Sequence, residues 1–331
     1  MKVFVLCWPY NPMPKLNPTD HPIITQEFVA AILEKYNIHS FTYKSPASGI
    51  ANTTLLIDAE NKRVVLRIYR QGDRSSKNIE IEIAFMEMLG REGVPVPRVL
   101  SDMAGRQIGQ INADGHEWLY IVMDFVPGEH ADTYTPELIR NLARTQAKMH
   151  LLGATFLTGH GRPKRAPKRL VETFNVRISR SEIEDEAARA FLDRARDFTV
   201  TLPSSLPSGY NHLDYDADNV LVSHGEIAAV LDFDDLEYTP IVVCLGYTLW
   251  DILDETGDIG QVRAYLAEYQ RSRDLSKEEI NWLRPVLMFR NYVIGVIDVH
   301  FYGNNSERIG HCIELENSIS KLGASDLVQR L

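Results

Sequence analysis

The sequence predicts an α+β protein of two lobes, an antiparallel sheet with helices over 1–125 and a mainly helical lobe over 126–331 carrying one acid-flanked hairpin. Three observations give this class. A chain of 331 residues can bury two separate cores. The first third holds apolar, β-branched runs beside a helix-period run. Beyond Val126-Pro127-Gly128 the period is almost wholly helical, and it switches to strand-like only at 209–235.

In chain order, Val3 to Trp8 reads as an edge strand before a proline-rich stretch, and residues 23–36 as an amphipathic helix with Ile24, Phe28, Ala31 and Ile32 on one face. Thr53–Ile57 and Val64–Tyr69 form a hairpin around the polar turn Asp58 to Lys62. Residues 78–91 are helical with Ile81, Phe85, Met88 and Leu89 inward; Pro95 and Pro97 then impose extended chain. A strand from Trp118 to Phe125 meets a hinge at about 122–128. Later helices are expected at Pro136–Leu151, Glu182–Phe198, Ile259–Arg271, Lys277–Phe301 and Gly310–Leu322, with 162–169 as a basic, solvated loop.

Composition narrows the function. With 44% hydrophobic and 24% charged residues the chain is a folded protein rather than a disordered one. A net charge of -10 argues against a nucleic-acid partner. Cys7, Cys244 and Cys312 lack CxxC spacing, which indicates neither a disulfide framework nor a zinc site and points to a reducing cytoplasm. The apolar start is too short for a signal core, and no run reaches the roughly 18 apolar residues of a membrane span, so no membrane partner is expected.

The segment Gly209 to Tyr238, GYNHLDYDADNVLVSHGEIAAVLDFDDLEY, holds two acidic clusters separated by strand residues. If Val220–Val222 pairs with Ala229–Leu231 across a Gly225-Glu226 turn, Asn219 lies opposite Asp232, with Cβ atoms roughly 4.5–5.5 Å apart. An amide oxygen and a carboxylate at that spacing suit Mg²⁺, which keeps its other positions for water and phosphate, so the hairpin reads as a half-site for Mg-ATP. A turn at His224-Gly225 would break the opposition. Asp214 precedes Asn219 by five residues, the spacing of a phosphoryl-transfer loop, which makes Asp214 the candidate base and His212 a brace for that loop.

On His212-x-Asp214-x-x-x-x-Asn219, the strand Val220-Leu221-Val222 and then Leu231-Asp232-Phe233-Asp234-Asp235, the chain resembles the aminoglycoside phosphotransferase, choline kinase and type II homoserine kinase superfamily. That resemblance implies a protein-kinase-like fold and ATP-dependent transfer of the γ-phosphate to a small-molecule hydroxyl. It implies Asp214 as catalytic base, Asn219 and Asp232 as metal ligands, Asp234 as a helper near the metal, and a structural His212. It further implies that Arg67 in VVLRIYR faces the phosphates with Glu82 as its acidic partner, Glu80 being the fallback. Ser48, Gly49 and Asn52 fall in the phosphate-covering loop, and Met123, Asp124 and Phe125 lie in the segment whose backbone binds adenine. His150 matches a helix-end position.

Two departures stand out. Leu213 replaces the usual Gly, and Cys244 stands near where the family has an Asp that anchors the catalytic loop, so either Asp251 from the same helix takes that part or the loop is held differently. Acceptor candidates are Trp250, Asp251, Asp254, Trp282, Arg290, Asn291, Tyr292, Asp298 and His300, of which Asp251, Asp254 and Asp298 could meet an ammonium group. A protein Ser/Thr kinase and a non-catalytic nucleotide-binding protein are the competing readings.

Overall fold

The first strand, β1 (Val3–Val5), pairs antiparallel with β7 (Thr201–Pro203), far along the chain. The computed structural model describes residues 3–5, 21–44, 52–72, 74–131, 133–156, 185–198, 200–302, 306–323 and 327. By contact, Met13–Glu129 with Ala228–Leu231 make one unit, and Met1–Pro12, His130–Ile227 and Asp232–Leu331 make the other. The start of the chain therefore counts with the larger unit and not with residues 13–125, because its strand partner lies there.

In the smaller unit, α1 (Gln26–Leu33) starts where Thr25 Oγ1 accepts the Phe28 amide at 3.2 Å. It tightens into a 3₁₀ turn, and Asn37 at φ +56° ends it. Strands β2 (Phe41–Lys44), β3 (Thr53–Ala59), β4 (Arg63–Ile68), β5 (Gly109–Ala113) and β6 (His116–Asp124) form one antiparallel sheet, ordered β2-β3-β4-β6-β5. Val29, Ile32 and Leu33 of α1 pack with Leu55, Ile57, Val64, Leu66, Trp118, Tyr120 and Val122. Each such side chain contributes about 1.5–3 kcal/mol on burial. Between β4 and β5, α2 (Ser76–Arg91) begins with a reciprocal cap between Ser75 and Asn78.

In the larger unit, α3 (Pro136–Thr155) starts with Thr135 capping the Leu138 amide and Pro136 in its first turn. It packs on α6 (Ile259–Tyr269). Helix α5 (Ile241–Thr256) packs on α7 (Lys277–Tyr302), which also meets α4 (Glu186–Asp197) and α8 (Ser306–Ser320). Strand β8 (Ser208–Asn211) pairs with β11 (Glu237–Pro240), and the Asn211 side chain donates to the Gly209 and Thr239 carbonyls, fixing the pair. This pair crosses α3 at two glycines. A Cβ on Gly153 would lie 2.1 Å from the Tyr210 carbonyl oxygen, and one on Gly209 would lie 2.7 Å from the Ala154 nitrogen. No described helix is long and apolar enough to cross a membrane.

Candidate active site

Strands β9 (Val220–Ser223) and β10 (Glu226–Val230) form the hairpin of the acidic segment. Its turn is His224-Gly225, with φ +53° and +81°, the two positive values of a type I′ turn. The Gly225-Glu226 turn expected from sequence does not form. Glycine prefers the second central position here because His224 tolerates the left-handed region at the first. With Ser223 and Glu226 flanking the turn, Asp232 falls two residues past the position across from Asn219, so the direct opposition of those two residues is lost.

The loop between β8 and β9 is held from several sides. Asn219 Nδ2 donates to the Asp214 carbonyl at 2.8 Å and to Asp214 Oδ2 at 3.1 Å. The Asn219 amide donates to Asp216 Oδ1 at 3.0 Å, and the Ala217 amide to the Tyr134 hydroxyl at 3.2 Å. His212 is buried; its Nδ1 accepts the Asp214 amide at 3.3 Å, and its ring lies 4.7 Å from that of Phe233. That is the geometry of a brace.

Leu213 adopts φ +64°, a left-handed conformation that glycine takes without strain. Its buried side chain offsets that cost. Cys244 lies buried beneath this loop. The Leu213 and His212 amides hydrogen-bond toward its sulfur, and burial, which outweighs those contacts, pushes the thiol up to about 12. The neutral sulfur is supported by a polar chain inside the helices. Gln146 Nε2 donates to Cys244 Sγ at 3.5 Å and to Thr248 Oγ1 at 2.6 Å; Thr248 donates to the Tyr215 carbonyl at 2.7 Å; Tyr265 donates to Gln146 Oε1 at 2.9 Å. None of Gln146, Thr248 or Tyr265 was expected at the site. The signal available was a Gln and a Thr inside otherwise apolar helix faces, where a buried polar group needs partners.

Asp251, one candidate to replace the missing anchor, serves a different residue. Arg290, buried on α7, reaches Asp214 Oδ1 at 3.2 Å and Asp251 Oδ1 at 3.4 Å through one nitrogen. Its guanidinium lies 4.8 Å from the Tyr247 ring centroid and 5.8 Å from that of Trp250. Burial pushes the Asp251 carboxyl up to about 7, opposed by Arg290 and aided by Asp214 and Asp254. Burial also raises Asp216, with Asp251 and Asp214 adding to it.

The other acceptor candidates are mostly engaged. Arg308 takes both oxygens of Asp254 at 3.0 and 2.9 Å and reaches Asp298 at 2.9 Å, while His311 lies 3.0 Å from Asp254. Neither Asp254 nor Asp298 is therefore set to meet an ammonium group, because each already has a cation. Trp250 Nε1 donates to Asn291 Oδ1, and the Tyr292 hydroxyl donates to Glu316. Trp282 lies on α7; the His300 side chain lies outside what the structure describes.

In the smaller unit, Arg67 and Glu82 are buried while Glu80 is exposed. Tyr69 links them: its hydroxyl donates to Glu82 Oε2 at 3.1 Å, and the Arg67 guanidinium lies 5.9 Å from its ring. Arg67 and Tyr69 share a face because strand side chains repeat every second residue. Asn52 Oδ1 accepts the Arg70 amide at 3.1 Å; Ser48 and Gly49 lie outside the described residues. Met123 sits in β6 opposite Val65. The Asp124 amide donates to the Arg98 carbonyl and its carboxylate pairs with Arg98 at 2.8 Å, while the Phe125 amide donates to the Arg63 carbonyl.

For a divalent cation the chemistry of the donors fits. Asn219 has its amide nitrogen committed to Asp214, which leaves Oδ1 as its coordinating atom. Asp232, at φ +54°, is exposed, and its Oδ1 accepts the Asp234 amide at 3.3 Å. Among the described residues no group of three or more His, Cys, Asp or Glu side chains could hold a metal. An amide oxygen and a carboxylate oxygen are hard donors of the kind Mg²⁺ accepts when water and phosphate fill its other positions.

Known proteins resemble this chain in sequence and in fold. The homoserine kinase of Methylobacillus flagellatus is 28% identical over 240 residues, 70% of this chain and 71% of its own. That of Methylobacillus glycogenes is 27% identical over 273 residues, 77% and 79% of the two chains. Among solved structures, a microcompartment-associated aminopropanol kinase superposes with a TM-score of 0.72 at 17% identity, over 92% of this chain and 99% of its own. An amicoumacin kinase solved with AMP-PNP and Ca²⁺ gives 0.72 at 18%, over 92% and 100%. The fold is protein-kinase-like, as expected from the sequence. Residues 42–281 match the phosphotransferase enzyme family, and the chain belongs to that family, as a kinase whose acceptor is a hydroxyl.

Proposed function

We propose that this kinase transfers the γ-phosphate of ATP, with Mg²⁺, to the hydroxyl of a small amino alcohol of the homoserine type. The observation that carries the reading is the clamped carboxylate of Asp214, with a donor on each oxygen, in a loop braced by His212 and Cys244. A carboxylate so fixed can orient the acceptor hydroxyl and take its proton as the oxygen attacks in line. Asn219 and Asp232, with Asp234 supporting the loop, would hold the metal, which when bound neutralises charge developing on the phosphates.

The smaller unit supplies the nucleotide-binding set. Arg67, oriented with Glu82 around Tyr69, is assigned to the phosphates, and Ser48, Gly49 and Asn52 to the loop that covers them. Since the Asp124 and Phe125 amides are engaged, adenine recognition around Met123–Phe125 falls to carbonyls of that segment and to amides beyond it. The working halves are divided near residue 125, with the first strand counted in the catalytic half. Support for a cationic acceptor comes from charge: Asp214, Asp216 and Asp251 gather around Arg290, and an ammonium group would relieve the two raised carboxyls.

An ATP-consumption screen over homoserine, amino alcohols, sugars, aminoglycosides and a generic protein acceptor tests the reading. Turnover is expected with an amino alcohol. Turnover confined to the protein acceptor would replace the substrate class; a thermal shift with Mg-ATP but no consumption on any acceptor would favour a nucleotide-binding role.

A further inference from the structure

We propose that Arg290 is a positioning residue of the transfer reaction, anchored by Asp251 and by the faces of Tyr247 and Trp250 so as to orient the Asp214 carboxylate. This rests on the assignment of Asp214 as base.

Burying a guanidinium is unfavourable unless charge and hydrogen bonds compensate it. Arg290 is only 4% exposed. If the pair with Asp251 served stability alone, that buried carboxylate and the two aromatic faces would meet the need. The same terminal nitrogen is instead shared with Asp214, whose side chain is 36% exposed and lies on the loop where the acceptor must arrive.

The consequence is geometric. Asn219 donates to Oδ2 of Asp214 and Arg290 donates to Oδ1. A carboxylate with one donor can pivot about that contact; with donors on opposite oxygens its plane is fixed. The two donors come from different parts of the larger unit, the hairpin base and α7, and each is itself held: Asn219 through the Asp214 carbonyl, Arg290 through Asp251. Facing the guanidinium are Asp214 and Asp216 from the loop and Tyr247 and Asp251 from α5. A lysine ammonium is a single point donor and lacks the planar fork that lies against both rings.

The test replaces the pair together, so that Asp251 is not left as an unpaired carboxylate beside the two rings. The double variant Arg290→Met, Asp251→Asn keeps a long apolar side chain against Tyr247 and Trp250. Its kcat for ATP consumption, read with homoserine and with water as acceptor, should fall about 100-fold, the scale of a misplaced reacting group. Mg-ATP affinity should stay within about threefold. A folded double variant with kcat within about threefold of wild type overturns the proposal. So does a higher kcat, which would make Arg290 a restraint, or a parallel loss of Mg-ATP binding, which would make the pair merely structural. Should the double variant not fold, Arg290→Lys is read instead: kcat about tenfold down with Mg-ATP binding intact supports the role, and wild-type kcat overturns it. Asp214→Asn is measured alongside. Turnover surviving in that variant removes the base itself, whereas its loss beside a fully active double variant removes Arg290 alone.

Discussion

The Asn219 side-chain amide donates at once to the carbonyl and the carboxylate of Asp214, at 2.8 and 3.1 Å. One residue thereby sets the loop backbone and the plane of the group at its tip. Replacing Asp214 with Asn keeps the shape and removes the proton acceptor. Turnover should fall by roughly 10²–10⁴, while Mg-ATP affinity, measured by calorimetry, should change less than about threefold. Unchanged turnover would take Asp214 out of the role of base.

Leu213 sets two opposing effects against each other. Glycine would relieve a left-handed backbone worth about 1–2 kcal/mol. It would also remove a side chain only 3% exposed, and large-to-small changes at such sites cost about 2–5 kcal/mol. Packing wins, so Leu213→Gly should destabilise by about 1–3 kcal/mol in urea unfolding. Because the backbone contacts to Cys244 survive, kcat should stay near wild type. A gain in stability would show that strain dominates.

His224 is exposed and holds the first positive φ of the type I′ turn. Asparagine enters that region more readily and, before Gly225, gives the Asn-Gly pair such hairpins favour. His224→Asn should therefore stabilise by roughly 0.5 kcal/mol, a rise of roughly 0.7 °C in Tm for a chain of this size. A fall in Tm would contradict the turn.

Asp251 makes stability depend on pH in a direction opposite to most carboxylates. Its folded pKa of about 7 lies above the ordinary value near 3.9. The folded state therefore keeps a proton that the unfolded chain releases, and this contribution to stability declines as pH rises from about 4 to about 7 and is flat above. Asp251→Asn cannot release the proton. Its Tm, scanned from pH 4 to 8, should lack that decline relative to wild type; parallel curves would refute the shift.

Much of this was legible in the sequence, and the failures have physical causes. The hairpin Thr53–Ile68 and the 78–91 helix declare themselves by period, and His212, Asp214 and Asn219 by spacing. Helix α5 had no bounds that its period could give: twelve of its sixteen residues are buried, from Ile241 to Leu253, so no polar face marks its turns. Strands β2 and β5 are short, half-buried edges. The Gly225 turn was misplaced by one residue because glycine satisfies either register, and only the tolerance of His224 for positive φ decides it. Cys244 was discounted for its weak acceptor strength, yet it needs only to be buried beneath two amides. The Arg308 pairs with Asp254 and Asp298 join residues on three helices, a relation no local pattern encodes.

The sulfur beneath the catalytic loop has a use beyond support. Thiol-directed reagents attack the thiolate, and a buried thiol pushed up to about 12 offers almost none at neutral pH. Reaction at Cys244 needs its buried sulfur uncovered, and the His212 and Leu213 backbone is among the groups that lie against it. Its alkylation rate thus counts openings that uncover it, excursions of the loop among them, as amide exchange counts local openings elsewhere in proteins. The loop carries its own chemical clock, readable without any substrate in hand.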